Sequence, residues 1–168
     1  MNLIKHDTLT QYHLPRLCLL IFVSVCISIL LTACLNETER RHRAGVELYQ
    51  KGLLEEAIIE YDAAILLNPE LADLYLDRAQ VYSGLGLHWR ATQDYNEIIK
   101  LDPSSAETYL KRADSKMKLG EPRTAIWDFN QAISLGYTDQ AVYKGRGAAH
   151  IAMKEYELAL RDLNMYIS

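Results

Sequence analysis

Side chains able to do chemistry are few in this 168-residue chain, and their spacing matters more than their number. Of five histidines, His6 and His13 stand in the N-terminal stretch, His42 beside three arginines, and His88 and His150 on predicted helices. None has a second ligand at metal spacing, so no metal is expected. Gly84 with Gly86, and Gly145 with Gly147, are fragments of phosphate-loop patterns without the preceding strand or the remaining glycines. There is no GxSxG, and Glu55 with Glu56 reads as an exposed helix start rather than an acid-base pair. The chain is therefore expected to be no enzyme and to need no cofactor.

One polar pattern does recur. Arg78 and Asp94, Arg112 and Asp128, and Arg146 and Asp162 are each 16 residues apart. An active site is needed once, so a pair repeated in every unit predicts a structural ion pair between two helices. Asn96, Asn130 and Asn164 recur in the same way, with Asp62 in phase, and are read as structural too.

The elements that must hold these pairs follow from a period of 34 residues. Tyr75, Tyr109 and Tyr143 keep that spacing, as do Ala57, Ala91, Ala125 and Ala159, and upstream Gly52, Tyr61, Ala64 and Pro69 stand in phase. Four repeats result, 38–71, 72–105, 106–139 and 140–168, the last cut short. Small residues at Ala79 and Ala91 let two antiparallel helices approach, while Tyr75, Tyr82 and Tyr95 fill the space between units. Asn68 before Pro69 and Asp102 before Pro103 are pushed out of helical geometry and end the second helix. Pro122 suits a first helical turn. The product expected is all-α, with eight helices of about three turns.

This self-similarity resembles the tetratricopeptide repeat, a helix-turn-helix unit. The second unit carries the family's aromatic, small and proline places as Tyr75, Ala79, Ala91, Tyr95, Ile98 and Pro103. The third has Tyr109, Ala113, Ala125, Phe129 and Ala132, with Tyr137 after Gly136 in place of proline; the fourth has Tyr143, Gly147, Ala159 and Leu163. The first has Arg41 in the aromatic place. The resemblance implies a right-handed α-solenoid whose concave face, lined by the first helices, holds segments of partner proteins. Carried over place by place, the groove residues are His42, Val46 and Tyr49, then Leu76, Gln80 and Ser83. The third unit adds Leu110, Lys111, Asp114, Met117 and Lys118, and the fourth Lys144, Ala148 and Ile151. Asp73, Asp77, Glu107 and Asp114 oppose Lys111, Lys118 and Lys144, which fits a partner with both apolar anchors and charge. A subfamily grips a chaperone tail with lysine, asparagine and arginine; here those places hold His42, Val46, Asp77, Glu107 and Lys111, of which only Lys111 fits.

Composition agrees with a globular interaction domain: 49% apolar, 24% charged, net charge −4. Basic residues are outnumbered and no nucleic-acid signature is present, so no nucleic-acid partner is expected. Residues 1–33 lie outside the repeats. Lys5 and Arg16 precede the apolar run 17–31, which is followed by Thr32 and Ala33, a secretory signal pattern. The run is 15 residues, short of the roughly 20 a spanning helix needs. Residues 31–34, LTAC, look like the bacterial lipobox, which implies cleavage before Cys34 and a lipid, such as palmitate, on that cysteine. Cys18 and Cys26 would leave with the signal, so no disulfide is expected. The alternative is an uncleaved inner-membrane signal anchor over residues 14–33.

By this reading residues 34–37 form the lipid attachment and a short tether and 38–168 the repeat domain; residues 34–168 together hold 16 of the 18 basic and 21 of the 22 acidic residues. Leu35 after the cysteine, in a Gram-negative host, implies the outer membrane, facing the periplasm. Arg40, Arg41, His42 and Arg43 open the first helix, where positive charge opposes the helix dipole; they serve either anionic headgroups or a solvated helix end softened by Glu37 and Glu39. Leu160, Leu163, Tyr166 and Ile167 at the last helix leave an apolar flank, which invites self-association through the repeat ends. The function expected is a lipid-anchored adaptor for proteins of envelope assembly, secretion or the cell-wall machinery; a structural or self-associating envelope component is the alternative.

Overall fold

The computed structural model describes residues 10–167, with the side chains of 10–22, Leu31, Cys34, Tyr166 and Ile167 outside the described set. The start of the expected signal segment, Lys5, His6 and Asp7, also lies outside it. Among the described residues eight helices follow one another: α1 Thr10–Gln50, α2 Leu54–Leu67, α3 Ala72–Gly84, α4 His88–Leu101, α5 Ala106–Lys118, α6 Pro122–Ser134, α7 Gln140–Ala152 and α8 Tyr156–Ile167. Each packs on its predecessor and its successor, and the first helices of neighbouring units also meet, α1 with α3 and α5 with α7. This is the expected solenoid of four helical hairpins.

One helix departs from the expected length. α1 is 41 residues long rather than about three turns, and the tether expected at 34–37 lies inside it. Residues 35–43 hold no glycine or proline, and their charges pair one turn apart, which supports a helix. Glu37 accepts from Arg40 at 2.6 Å and from Arg41 at 2.8 Å, and Glu39 lies 3.4 Å from Arg43. The two arginines hold the Glu37 carboxyl down at about 2. Among the described residues no helix is long and apolar enough to cross a membrane.

Helix ends follow local chemistry. Asn68 and Asp102 take extended backbone before their prolines, with φ −143° and −136°. Asp102 then turns the chain, Oδ1 accepting from the Ser104 amide at 2.9 Å. In the third unit, where proline is missing, Gly136 stops α6 instead: its φ is +88°, and the Tyr137 amide donates to the Ala132 carbonyl at 3.0 Å. Asp139 caps α7, accepting from the Ala141 amide at 2.7 Å.

The core of the described residues is a row of three clusters, two of which cross from one unit to the next. Ala57, Ala91 and Ala125 are fully buried and Ala159 nearly so, and beside them Tyr61, Tyr95 and Phe129 fill the space between hairpins. Val81 of the second unit packs with Ala57 and Tyr61 of the first. Val142 and Ala149 of the fourth join Tyr109, Ala113 and Phe129 of the third. The second unit's cluster lies within its own hairpin but is flanked by Ile58 and Ile65 of the first, so every cluster draws on a neighbouring unit and the units stack.

Candidate functional site

Two structural facts decide which surface is free to bind: what the repeated polar pairs do, and what the first helices leave open. Each arginine of the repeated pattern makes a fork to the aspartate of its own unit. Arg112 donates to Asp128 at 2.5 and 3.0 Å, and Arg146 to Asp162 at 2.5 and 2.8 Å. Arg78 meets Asp94 at 2.6 and 3.0 Å. The remaining guanidinium nitrogen reaches back one unit: Arg112 to Asn96 and Arg146 to Asn130, both at 2.7 Å, and Arg78 to Asp62. The ladder therefore joins units as well as helices. Its signal was in the sequence, since each arginine stands 16 residues from both partners. Burial pulls Arg78 down and Asp94 up, yet the bonds to Asp94 and Asp62 hold the guanidinium above its ordinary value, so it stays charged.

The first unit solves the same problem differently. Ala44 replaces the arginine, and Arg41, in the aromatic place, reaches Glu60 at 3.0 Å. With Arg40 and Arg43 paired to Glu37 and Glu39, the basic cluster of α1 is neutralised within the chain. His42 bonds Asp77 of α3 at 2.7 Å, closing that end of the face.

Open space begins beyond it. A cleft of about 220 Å³ between α3 and α5 is lined by Ser83, His88, Tyr95, Lys111, Asp114, Ser115 and Lys118. A larger one, about 580 Å³ between α5 and α7, is lined by Asp114, Met117, Lys118, Ala141, Lys144, Gly145 and Ala148. Asp114 and Lys118 belong to both, so the clefts form one continuous surface. Of the groove residues expected from the sequence, Ser83, Lys111, Asp114, Met117, Lys118, Lys144 and Ala148 come together here. Tyr49, Gln80 and Ile151 are exposed but outside these clefts, and Val46 and Leu76 pack against the cores of their units. Leu110 is only 8% exposed and belongs to the core of the third unit, so it is not a groove residue.

Gly145 was missed and matters most. It stands in the place of Asp77 and Lys111, and a Cβ there would lie 2.6 Å from the Phe129 ring. The absent side chain makes room for that ring, and Gly145 with Ala141 and Ala148 lines the larger cleft. On the rim, surrounding protein raises the Asp114 carboxyl above the usual carboxylate range, against the pull of Lys111 and Lys118. Lys111 is only partly engaged, 3.2 Å from Glu107 one turn away. Among the described residues no cluster of histidine, cysteine or carboxylate groups is placed to hold a metal.

Stacked hairpins with an open, mixed face across their first helices define a helical-repeat scaffold. Family profiles narrow the class: one described as TPR repeat matches residues 45–86, and one described as tetratricopeptide repeat matches 72–105. Together the two profiles span residues 45–105, so the chain carries tetratricopeptide repeats over that stretch. No curated protein sequence matches it. Among solved structures, a crystal structure of MamA superposes with a TM-score of 0.74 at 20% identity, over 83% of this chain and 82% of that one. MamA 41-end from Desulfovibrio magneticus RS-1 gives 0.72 at 14% identity, over 77% and 73%. The Arabidopsis OM64 TPR domain gives 0.64 at 23%, over 70% and 98%. At these identities the likeness concerns the fold.

Proposed function

We propose that this chain is a non-enzymatic adaptor that holds a segment of a partner protein across α3, α5 and α7. The observation that carries this is the pair of clefts sharing Asp114 and Lys118 across the first helices. The Met117, Gly145 and Ala148 lining takes an apolar side chain of the partner. Lys111, Lys118 and Lys144 favour acidic groups beside that anchor, and Asp114 gives register against a wrongly charged segment. We further propose that the domain is lipid-anchored through Cys34 in a bacterial envelope, on the outer membrane, with partners from envelope assembly, secretion or cell-wall machinery. That reading is supported by the LTAC motif after the apolar run and by Leu35.

Photo-crosslinking in the native host from Gln80, Asp114 and Ala148 tests the adaptor. The expected result is one discrete protein other than the chain itself, captured from Asp114 and Ala148 and not from second-helix positions such as Gln93; recovery from Asp114 and Ala148 of lipid alone, or of the chain itself, sinks it. The anchor is tested separately: Cys34→Ser should abolish the mass shift of lipidation and release the protein from membranes, and an unchanged mass rejects the lipobox.

A further inference from the structure

The second helices carry a strip that the binding face leaves unused. Three places in their first two turns are exposed on α2, α4 and α6 alike: Glu55, Glu56 and Ile59; Trp89, Arg90 and Gln93; Arg123, Thr124 and Trp127. Ile59 is 64% exposed, Trp89 54% and Trp127 52%, large apolar surface to leave in water. The charges are sorted by helix, acidic on α2 and basic on α6. Among the described residues none of Glu55, Glu56, Arg90 and Arg123 forms an ion pair. The aromatic groups are held in place: Arg90 lies 5.2 Å from the Trp89 ring centre and 5.5 Å from that of Tyr82, and Trp127 packs edge-on to Tyr109 at 6.0 Å.

Such a strip is complementary to itself. The packing order sets α2 on one side of α4 and α6 on the other. A second copy turned about a two-fold axis along α4 keeps every height along the helices and exchanges the two sides. Glu55 and Glu56 of each copy then face Arg123 of the other, Ile59 faces Trp127, and at the axis Arg90 meets the copy's Trp89. We propose that this chain forms a two-fold dimer through the outer faces of α2, α4 and α6. A foreign acidic segment would satisfy α4 and α6 but leave the acidic, apolar face of α2 uncovered. A bilayer surface with anionic headgroups would be repelled by Glu55, Glu56 and the half-exposed Asp62. The dimer face lies on second helices, so it stands apart from the adaptor reading, which rests on first helices.

Sedimentation velocity of the full chain in a neutral detergent, over a concentration series, tests it. The expected protein mass is twice that of a single chain as isolated, with dissociation promoted by salt. Arg123→Glu and Glu56→Arg should each weaken association at least about tenfold, with helical circular dichroism unchanged because both sites are exposed. Combining them should restore the dimer, since the reversed charges meet again across the interface. A monomer at every concentration, a dimer indifferent to both single changes, or a double variant that is not rescued overturns the proposal. A monomer that binds a polyglutamate peptide through Arg123 would assign the strip to a foreign acidic partner instead.

Discussion

Asp128 shows what one residue must accomplish in a stack of this kind. Its carboxylate is wholly buried, with Arg112 forked onto it and Lys116 at 2.7 Å. Removing a partner leaves a buried charge short of compensation, which costs far more than the pair contributes net. Arg112→Ala should therefore lower stability by about 3–5 kcal/mol in urea unfolding. Arg112→Lys should recover little of it, because one ammonium cannot bond Asp128 twice and Asn96 as well. The first unit supplies the contrast. Arg41 is 37% exposed and its contact with Glu60 is open to water, so Arg41→Ala should cost far less than Arg112→Ala in the same unfolding measurement. Equal losses at the two sites would show that burial does not govern the ladder.

At the scale of the element, the hairpin turn is the most repeated solution in the chain. Gly52, Gly86 and Gly120 take φ of +76°, +73° and +75°, and the residue after each donates back to the helix it leaves, Glu121 to Lys116 at 2.9 Å for example. The fourth hairpin makes the same bond, Glu155 to His150 at 2.8 Å, but puts Lys154 at the turn with φ +62°. A side chain in the left-handed region costs energy that glycine avoids. Lys154→Gly should raise stability by about 1 kcal/mol, read as a higher urea midpoint at unchanged slope. A loss would mean that the Lys154 side chain makes up for its backbone.

For the whole molecule, stability is a sum of hairpins and the seams between them. α3 to α6 are covered on both sides, whereas α8 leaves Leu158 and Leu160 exposed at 39% and 61%. Amide hydrogen exchange should be slower in α3 to α6 than in α8 by at least about tenfold. Uniform protection would show instead that the four hairpins open as one unit.

The period, the small and aromatic places, the proline stops and the arginine–aspartate pairs were legible in the sequence. Each is set by neighbours close in the chain or by a place that returns unchanged in every unit, so counting residues finds it. Tertiary structure decided the rest. That Leu110 turns into the core while Lys111 turns out depends on where α5 sits between α3 and α7. The back-reach of Arg112 to Asn96 requires the offset of one hairpin on the next. Gly145 lines the cleft as a glycine because the Phe129 ring rises from the neighbouring helix into the space a side chain would take. A repeat pattern specifies what each unit contains; which of its side chains are left free depends on the angle at which rigid hairpins stack.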